Sequence, residues 1–167
     1  MAASTTELPA EQEQEQERPP VGELLPHEPP MLLIDELVEY SPTRALVRAR
    51  VRPGGAFVVA GHVPATILLE YMAQAIAAAE GMHARNTPPS PGRRRGERSP
   101  GLLLGTRELE LGTQTLAVGD TLEIHVVQSF SDPDSGLACY DCEVQRDGQR
   151  VAAALVNVML APDLGAR

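Results

Sequence analysis

The chain has 167 residues, the length of one ordinary domain, and 43% of them are hydrophobic, which is enough apolar material for a single core. Its formal net charge is −9, and all 14 basic residues are arginines. A body this acidic repels nucleic acid over most of its surface, so the composition argues against a nucleic-acid-binding protein.

The first twenty residues combine five glutamates with one arginine and end in two prolines. Such a segment cannot bury enough apolar surface to order itself, so we predict a disordered acidic tail over residues 1–20. A basic stretch followed by an apolar stretch, the pattern of a secretion signal, is absent from this N-terminus. We therefore expect a cytoplasmic protein.

The next segment leads into the first predicted strands. Residues 24–30 read L-L-P-H-E-P-P, and the three prolines permit at most one helical turn before an extended segment. Strand-like residues follow from Met31 to Val38. Between Ala45 and Val51 apolar residues alternate with arginines, and this period of two indicates a half-buried antiparallel strand with Arg48, Arg50 and Arg52 on one face.

One long helix is predicted from about Thr66 to Arg85, with a threonine at its start that can cap it. Its apolar residues leave almost no polar face, which is typical of a helix surrounded by protein. The apolar run from Ala65 to Ala79 is interrupted by Glu70 and Gln74 and is shorter than the roughly 20 residues of a membrane span. We predict a buried helix and no membrane anchor.

The second half of the chain predicts strands only. Residues 86–100 are rich in Pro, Gly and Arg and indicate a flexible surface loop. Strand patterns then cover 102–111, 121–130, 137–145 and 151–160, and Asp147-Gly148 is a strong hairpin signal between the last two. The pattern predicts one α+β domain over residues 21–161, in which antiparallel strands curl around a central helix, and a C-terminal tail over 162–167.

The two cysteines form a C-x-x-C sequence within a strand-like stretch. Cys139 and Cys142 have no second pair that would complete a zinc site. We interpret them as reduced structural thiols and predict no metal site.

Glu70 stands out within the predicted helix, because a carboxylate in apolar surroundings is costly without a partner. Gln74 lies one turn further on the same face, where its amide can orient the Glu70 side chain. His62 lies just upstream of the helix, and an imidazole beside a carboxyl group is the pair that proton abstraction and leaving-group protonation use. A plainer interpretation remains open, in which Glu70 is a solvated polar edge and His62 an ordinary loop histidine.

The start of the helix adds a second feature to this candidate site. Backbone N–H groups in the first turn of a helix lack partners within the helix. Those around Ala65 and Thr66 are therefore candidates for polarising a thioester carbonyl in a bound substrate.

Three motifs carry a resemblance to a known family. They are L-L-P-H-E-P-P-M-L-L-I-D over residues 24–35, G-H-V-P-A-T-I-L-L-E-Y-M-A-Q over 61–74, and V-G-D-T-L-E-I over 118–124. In this order they resemble the motifs of 3-hydroxyacyl-carrier-protein dehydratases of fatty-acid synthesis, and the similarity extends over residues 24–160. Its most specific part is L-L-E-Y-M-A-Q over 68–74, which is similar to the catalytic-helix signature of the family.

This resemblance implies a hotdog fold and a dimer whose active sites lie between protomers. It implies dehydration of 3-hydroxyacyl thioesters, carried by an acyl carrier protein, to trans-2-enoyl thioesters without any cofactor. It also implies that Glu70 is the catalytic acid and that His62, in the Gly-His-x-Pro motif, is the base. From the helix start and the helix face shared with Glu70, we expect Ala65, Thr66 and Gln74 to contact the substrate.

The chain differs from the family in the loop between the Gly-His-x-Pro motif and the helix, which is shorter here. Together with G-L-L-L-G-T-R-E-L-E-L over residues 101–111, the short loop resembles the branch associated with aryl-polyene and related pigment clusters. Members of that branch need not keep the histidine and can act in a heterodimer. Two alternatives thus stay open beside the dehydratase of fatty-acid or polyketide synthesis: a non-catalytic hotdog subunit of a heterodimeric dehydratase, and an acyl-thioester hydrolase.

Two further features receive separate interpretations. His27 lies among prolines and has no acidic partner that the sequence identifies, so we predict a structural role for it. Arg93, Arg94, Arg95 and Arg98 form the densest positive cluster of an acidic protein, and carrier proteins are acidic. We predict carrier-protein docking at this cluster, although a solvated loop without a role is the plainer alternative.

Overall fold

The computed structural model describes residues 18–88 and 101–160. The predicted tails over 1–20 and 162–167 therefore lie almost entirely outside the described residues, as does most of the predicted loop over 86–100. Arg93, Arg94, Arg95 and Arg98 fall within that undescribed part.

The structure contains one long helix and eight strands in the described ranges. The helix, α1, spans Leu68–Asn86 and follows a short 3-10 turn at Ala65–Ile67. The strands are β1 (Glu36–Ser41), β2 (Arg44–Arg50), β3 (His62–Pro64), β4 (Gly101–Leu111), β5 (Thr115–Ala117), β6 (Thr121–Asp132), β7 (Leu137–Arg146) and β8 (Gln149–Leu160).

Six strands form one antiparallel sheet in the order β1-β2-β6-β7-β8-β4, and β3 pairs with β5 in a separate two-stranded sheet. The large sheet curls around α1, which packs against β1, β2, β6, β7 and β8. This is the hotdog arrangement, so the predicted α+β fold class is confirmed. Among the described residues, none of the helices has the length and apolar character needed to cross a membrane.

The buried faces of the strands are the ones that the period-two patterns predict. In β2 the residues Ala45, Val47 and Ala49 are buried against the helix, whereas Arg48 and Arg50 are exposed. Alternating residues of β6, β7 and β8 are buried in the same way. The predicted hairpin is also confirmed, since Asp147 and Gly148 both have positive φ angles, as a tight type I′ turn requires.

Two local predictions are wrong. Residues 31–35 form no strand, and the Leu33 N–H donates to the Gln74 side chain instead of to a sheet partner. Thr66 does not cap α1, because the 3-10 turn brings the carbonyl oxygens of Ala65 and Thr66 to the Leu68 N–H. The short strands β3 and β5 were not predicted, since three residues are too few to show a period.

The segment that precedes β1 crosses the helix closely. Leu24 and Leu25 are almost completely buried, and Gly81 of α1 lies beneath them. A Cβ atom at Gly81 would lie 2.1 Å from the Leu24 carbonyl oxygen. Only a glycine permits this approach, which fixes the path of the residues that lead to His27.

The two cysteines are free thiols on opposite faces of β7. Cys139 lies on the outer face and donates from Sγ to Asn157 Oδ1 at 3.0 Å. Cys142 lies in the core, where burial raises the pKa of its thiol from 9.0 to about 12. Side chains on opposite faces of one strand cannot ligate the same ion.

The raised pKa of Cys142 predicts a loss of stability in alkali. The thiol ionises near pH 9 in the unfolded chain but stays protonated to about pH 12 in the folded chain, so its contribution is complete below pH 9 and is lost as the pH rises towards 12. Between pH 9 and 10 we expect the free energy of unfolding to fall by roughly 1 kcal/mol more in the native protein than in Cys142→Val. Guanidinium denaturation at the two pH values measures this difference, and parallel curves for the two proteins would contradict it.

Candidate functional site

Glu70 lies in the first turn of α1, with 30% of its side chain exposed. Gln74, one turn further, is completely buried. Its Nε2 group donates to Glu70 Oε1 at 2.8 Å and to the Met31 carbonyl at 2.7 Å, while its Oε1 accepts the Leu33 N–H at 2.9 Å. Because a backbone N–H can only donate, this last bond fixes which end of the amide faces Glu70. The predicted orienting role of Gln74 agrees with this geometry.

The structure places His27 beside Glu70. The distance from His27 Nε2 to Glu70 Oε1 is 3.6 Å, and one third of each side chain or slightly less is exposed. Within the described part of the chain, His27 Nδ1 is buried and has no hydrogen-bond partner. Glu70 is thus an acidic partner of His27 that the sequence did not identify, and the structural role predicted for His27 stays a prediction.

The position of His27 follows from how its segment is held. The Met31 N–H donates to the Glu28 carbonyl at 2.8 Å, which closes a turn directly after His27. Gln74 binds the far side of that turn at Met31, and the close approach of Leu24 to Gly81 holds the near side. The segment therefore lies across α1, and the imidazole lies above its first turn.

His62, the base implied by the resemblance, lies elsewhere in the single chain. It is exposed at the start of β3, and its backbone pairs with Val59 and Ala117. Val63 is buried, so the period of two along β3 points His62 away from the core. Across residues 18–88 and 101–160, no hydrogen bond or ion pair joins His62 to Glu70. The structure thus brings Gln74 and His27 to Glu70 but does not bring His62 there.

The predicted carbonyl-polarising groups are only partly available. The Ala65 N–H donates to the Gln114 carbonyl at 2.9 Å, so it is already occupied. Ala65 itself is buried, whereas Thr66 is exposed at the start of the helix. The prediction that the Ala65 N–H polarises a substrate carbonyl is therefore wrong, because the turn before β5 lies close enough for its carbonyl group to accept this N–H.

The docking prediction for Arg93, Arg94, Arg95 and Arg98 concerns residues outside the described part of the chain and stays a prediction. In the part that the structure does describe, no three His, Cys, Asp or Glu side chains lie close enough together to hold a metal ion.

His27 is the site residue that sequence reasoning missed. The signal available was its place in the first motif, L-L-P-H-E-P-P-M-L-L-I-D, where a histidine among turn-forming prolines lies between an apolar pair and a run of four apolar residues. That pattern predicts a fixed segment, but no local pattern relates it to the first turn of a helix far along the chain.

Known proteins share this fold. The family model for ApeP-like proteins, described as ApeP dehydratase, matches residues 19–166. The dehydratase heterocomplex ApeI:P from Xenorhabdus doucetiae is similar at 26% identity and a TM-score of 0.74, over 84% of this chain and 90% of that chain.

Two more distant structures share the fold alone. A mutant of the phenylacetic acid degradation protein PaaI from Thermus thermophilus is 20% identical, with a TM-score of 0.52 over 74% of this chain and 90% of that chain. A hypothetical thioesterase from Streptococcus pneumoniae is 12% identical, with a TM-score of 0.55 over 75% and 84%. The match of the family model over nearly the whole chain is the stronger finding, and it shows that the chain belongs to the ApeP-like dehydratase family.

Proposed function

We propose that this protein dehydrates 3-hydroxyacyl thioesters to trans-2-enoyl thioesters, and that Glu70 and His27 carry out the proton transfers. The observation that carries the proposal is the 3.6 Å contact between His27 Nε2 and Glu70 Oε1, beside a buried glutamine that holds the carboxyl group. A partly exposed acid and base that are held together suit a reaction that moves one proton off carbon and another onto oxygen.

In the proposed reaction, neutral His27 takes the α-proton of the thioester through Nε2. The electron pair of that C–H bond forms the carbon–carbon double bond, and the bond from the β-carbon to the hydroxyl oxygen breaks. Protonated Glu70 donates its proton to the departing hydroxyl, which leaves as water. His27 Nε2 and Glu70 Oε1 are 3.6 Å apart, and the proton returns from the imidazolium to the carboxylate when the two side chains close to hydrogen-bond distance or through one bridging water, which restores the starting state. The proton transfers balance without a redox group, which is why we propose no cofactor.

Membership in the family supports the substrate class, an acyl thioester on the phosphopantetheine arm of an acyl carrier protein in the cytoplasm. The chemistry suits a pathway that extends acyl chains, whether for fatty acids or for polyene and polyketide pigments. Docking of the carrier protein at the arginine cluster is part of the same proposal.

Replacing His27 by Ala is expected to lower kcat for a 3-hydroxyacyl thioester by about 10²-fold, because the α-proton then has no base within reach. His62→Ala is the matched comparison and is expected to leave kcat within about twofold, since His62 is exposed and has no contact with Glu70 in the single chain. Initial rates followed by absorbance of the enoyl product measure both variants.

The opposite pattern of rates would identify His62, and not His27, as the base. If His62→Ala is inactive and His27→Ala is active, the base is His62 supplied by a second chain, as in the dimer that the resemblance implies. In that case His27 has the structural role predicted from the sequence, and its substitution lowers thermal stability more than turnover.

A second candidate function is a subunit of a heteromeric dehydratase, and strand β4 favours it. β4 lies at the edge of the six-stranded sheet and pairs only with β8 within the described chain. Leu102, Leu103 and Leu104 in this strand are exposed by 44%, 42% and 51%. A long apolar edge strand offers unpaired backbone groups and apolar surface to another chain. The similar structure from Xenorhabdus doucetiae is described as a heterocomplex, which supports a second hotdog chain as the partner.

Replacing Leu102 and Leu104 together by Asp is expected to abolish association through β4, because two buried carboxylates would face the partner without counter-charges. Phe130→Asp is the matched control, since Phe130 is 50% exposed but lies on β6, away from that edge. Sedimentation velocity, with and without a catalytic hotdog subunit, measures association. Enoyl formation by the protein alone supports the first candidate, whereas activity only in the mixture supports the second.

A further inference from the structure

Asp35 ends the pairing of strand β2 with the segment that precedes β1. Its backbone N–H donates to the Arg48 carbonyl at 2.9 Å, and its Oδ2 atom accepts the Arg50 backbone N–H at 2.6 Å. In an antiparallel pair, residues two apart on one strand direct their backbone groups to the same neighbour. A ladder that continued past Asp35 would therefore offer the Arg50 N–H a backbone carbonyl. The Asp35 side chain takes the place of that carbonyl.

Because the sheet pairing ends at Asp35, the residues before it are available to bond to the helix. The Leu33 N–H donates to Gln74 Oε1 at 2.9 Å, and the Met31 carbonyl accepts from Gln74 Nε2 at 2.7 Å. The same Nε2 group donates to Glu70 Oε1 at 2.8 Å. Two of these three hydrogen bonds to the Gln74 amide thus come from the segment that leaves the sheet at Asp35.

The connection between Asp35 and Leu33 is short and held at both ends. Two residues span at most about 7 Å, and the residue between them, Ile34, is completely buried in the core. The second carboxylate oxygen of Asp35 is bonded to the Arg52 guanidinium, so both oxygens have partners. A displacement of Asp35 therefore reaches the Leu33 N–H and, through it, the amide that holds the carboxyl group in the site.

We propose that Asp35 is a positioning residue for proton transfer at Glu70. By accepting the Arg50 N–H, it keeps the preceding segment on the Gln74 amide, and this amide holds the Glu70 carboxyl group. Within residues 18–88 and 101–160, no hydrogen bond or ion pair joins Asp35 to Glu70 or His27. Its effect on the reaction therefore passes through Gln74. This inference rests on the proposed dehydratase function, but its structural part can be measured without that activity.

Asp35→Ala removes the acceptor and is expected to lower kcat for a 3-hydroxyacyl thioester about tenfold, while KM changes by no more than about twofold. The reason is that the acid is misplaced while the groups that bind the substrate remain. Asp35→Asn keeps a carbonyl oxygen for the Arg50 N–H and is expected to retain at least about half of the native kcat. Glu36→Ala is the matched control, since it removes an exposed carboxylate one residue away, together with its ion pair to Arg48, and should leave both constants unchanged.

Amide hydrogen exchange, followed by NMR, measures the structural part without any substrate. Exchange of the Leu33 N–H is expected to be about tenfold faster in Asp35→Ala than in the native protein or in Glu36→Ala. A double variant tests the route. If Asp35 acts through the Gln74 amide, adding Asp35→Ala to Gln74→Met lowers kcat no further than Gln74→Met alone.

Several outcomes would overturn the proposal. One is native kcat, or native exchange of the Leu33 amide, in an Asp35→Ala protein that circular dichroism shows to be folded. Another is an Asp35→Asn protein as slow as Asp35→Ala, since the charge and not the acceptor would then matter. If Asp35→Ala does not fold, Asp35→Glu decides, because its longer side chain displaces the carboxylate, and native turnover together with native exchange would again overturn the proposal.

The two proposals fail in different ways. If the native protein shows no dehydratase activity, the proposed function fails, and faster exchange of the Leu33 amide in Asp35→Ala still supports the role of Asp35 in holding Gln74. If the native protein is active and Asp35→Ala is equally active, the proposed function stands and the role of Asp35 is refuted.

Discussion

Glu70→Gln is expected to lower kcat/KM for a 3-hydroxyacyl thioester by about 10³-fold while the protein stays folded. The substitution keeps the size of the side chain and retains a carbonyl oxygen that can accept the hydrogen bond from Gln74. An amide cannot transfer a proton to the departing hydroxyl, so the loss falls on the chemical step. Initial rates at saturating and limiting substrate, with circular dichroism as the check on folding, measure the effect.

Glu28→Gln is the matched control for this experiment. Glu28 is an exposed glutamate directly beside His27, and its backbone carbonyl, which the substitution preserves, forms the turn with Met31. We expect its turnover to equal that of the native protein. Equal turnover by Glu70→Gln and the native protein would contradict the proposed role of Glu70 as the acid, and it would leave the non-catalytic subunit as the function to test.

Gly81→Ala is expected to lower the free energy of unfolding by about 3 kcal/mol, at the upper end for overpacking a core. In an exposed helix the same change stabilises by about 1 kcal/mol, because glycine is a poor helix former. Here the new methyl group would lie 2.1 Å from the Leu24 carbonyl oxygen, and both atoms belong to packed segments. The helix and the segment at Leu24 must therefore separate, which uncovers Leu24 and Leu25.

Urea denaturation measures this loss, and Gly22→Ala provides the control. Nothing lies within 4 Å of a Cβ atom at Gly22, so we expect a change of no more than about 0.5 kcal/mol there. The Gly81→Ala protein should also lose turnover, because the displaced segment carries His27 away from Glu70. A Gly81→Ala protein as stable as the native one would show that the segment and the helix do not approach as closely as in this structure.

The pair at the centre of the site shows which contacts local sequence can predict. Glu70 and Gln74 are four positions apart in one helix, so the helical repeat alone brings their side chains together, and the structure contains that hydrogen bond. The contact of His27 with Glu70 depends on where a proline-rich segment crosses the helix, and no repeat describes such a crossing.

The elements of the fold also include some that local sequence predicts and some that depend on distant contacts. The period of two predicted the long strands, and the Asp147-Gly148 hairpin followed from its turn residues, because both are properties of neighbouring residues. The absence of a strand at residues 31–35 was not predictable, since the Leu33 N–H is taken by a side chain from the helix. The need for glycine at position 81 was not predictable either, because it arises from the close approach of Leu24 and not from the helix itself.

The sequence by itself determined the architecture, one apolar helix enclosed by antiparallel strands, and the carboxyl group with its orienting amide, since these depend on residues a few positions apart. Only the tertiary structure decided which histidine faces Glu70 and that the Ala65 amide is occupied by Gln114. The physical reason is that these last contacts join segments far apart in the chain, whose relative positions are set by packing and hydrogen bonds across the whole core.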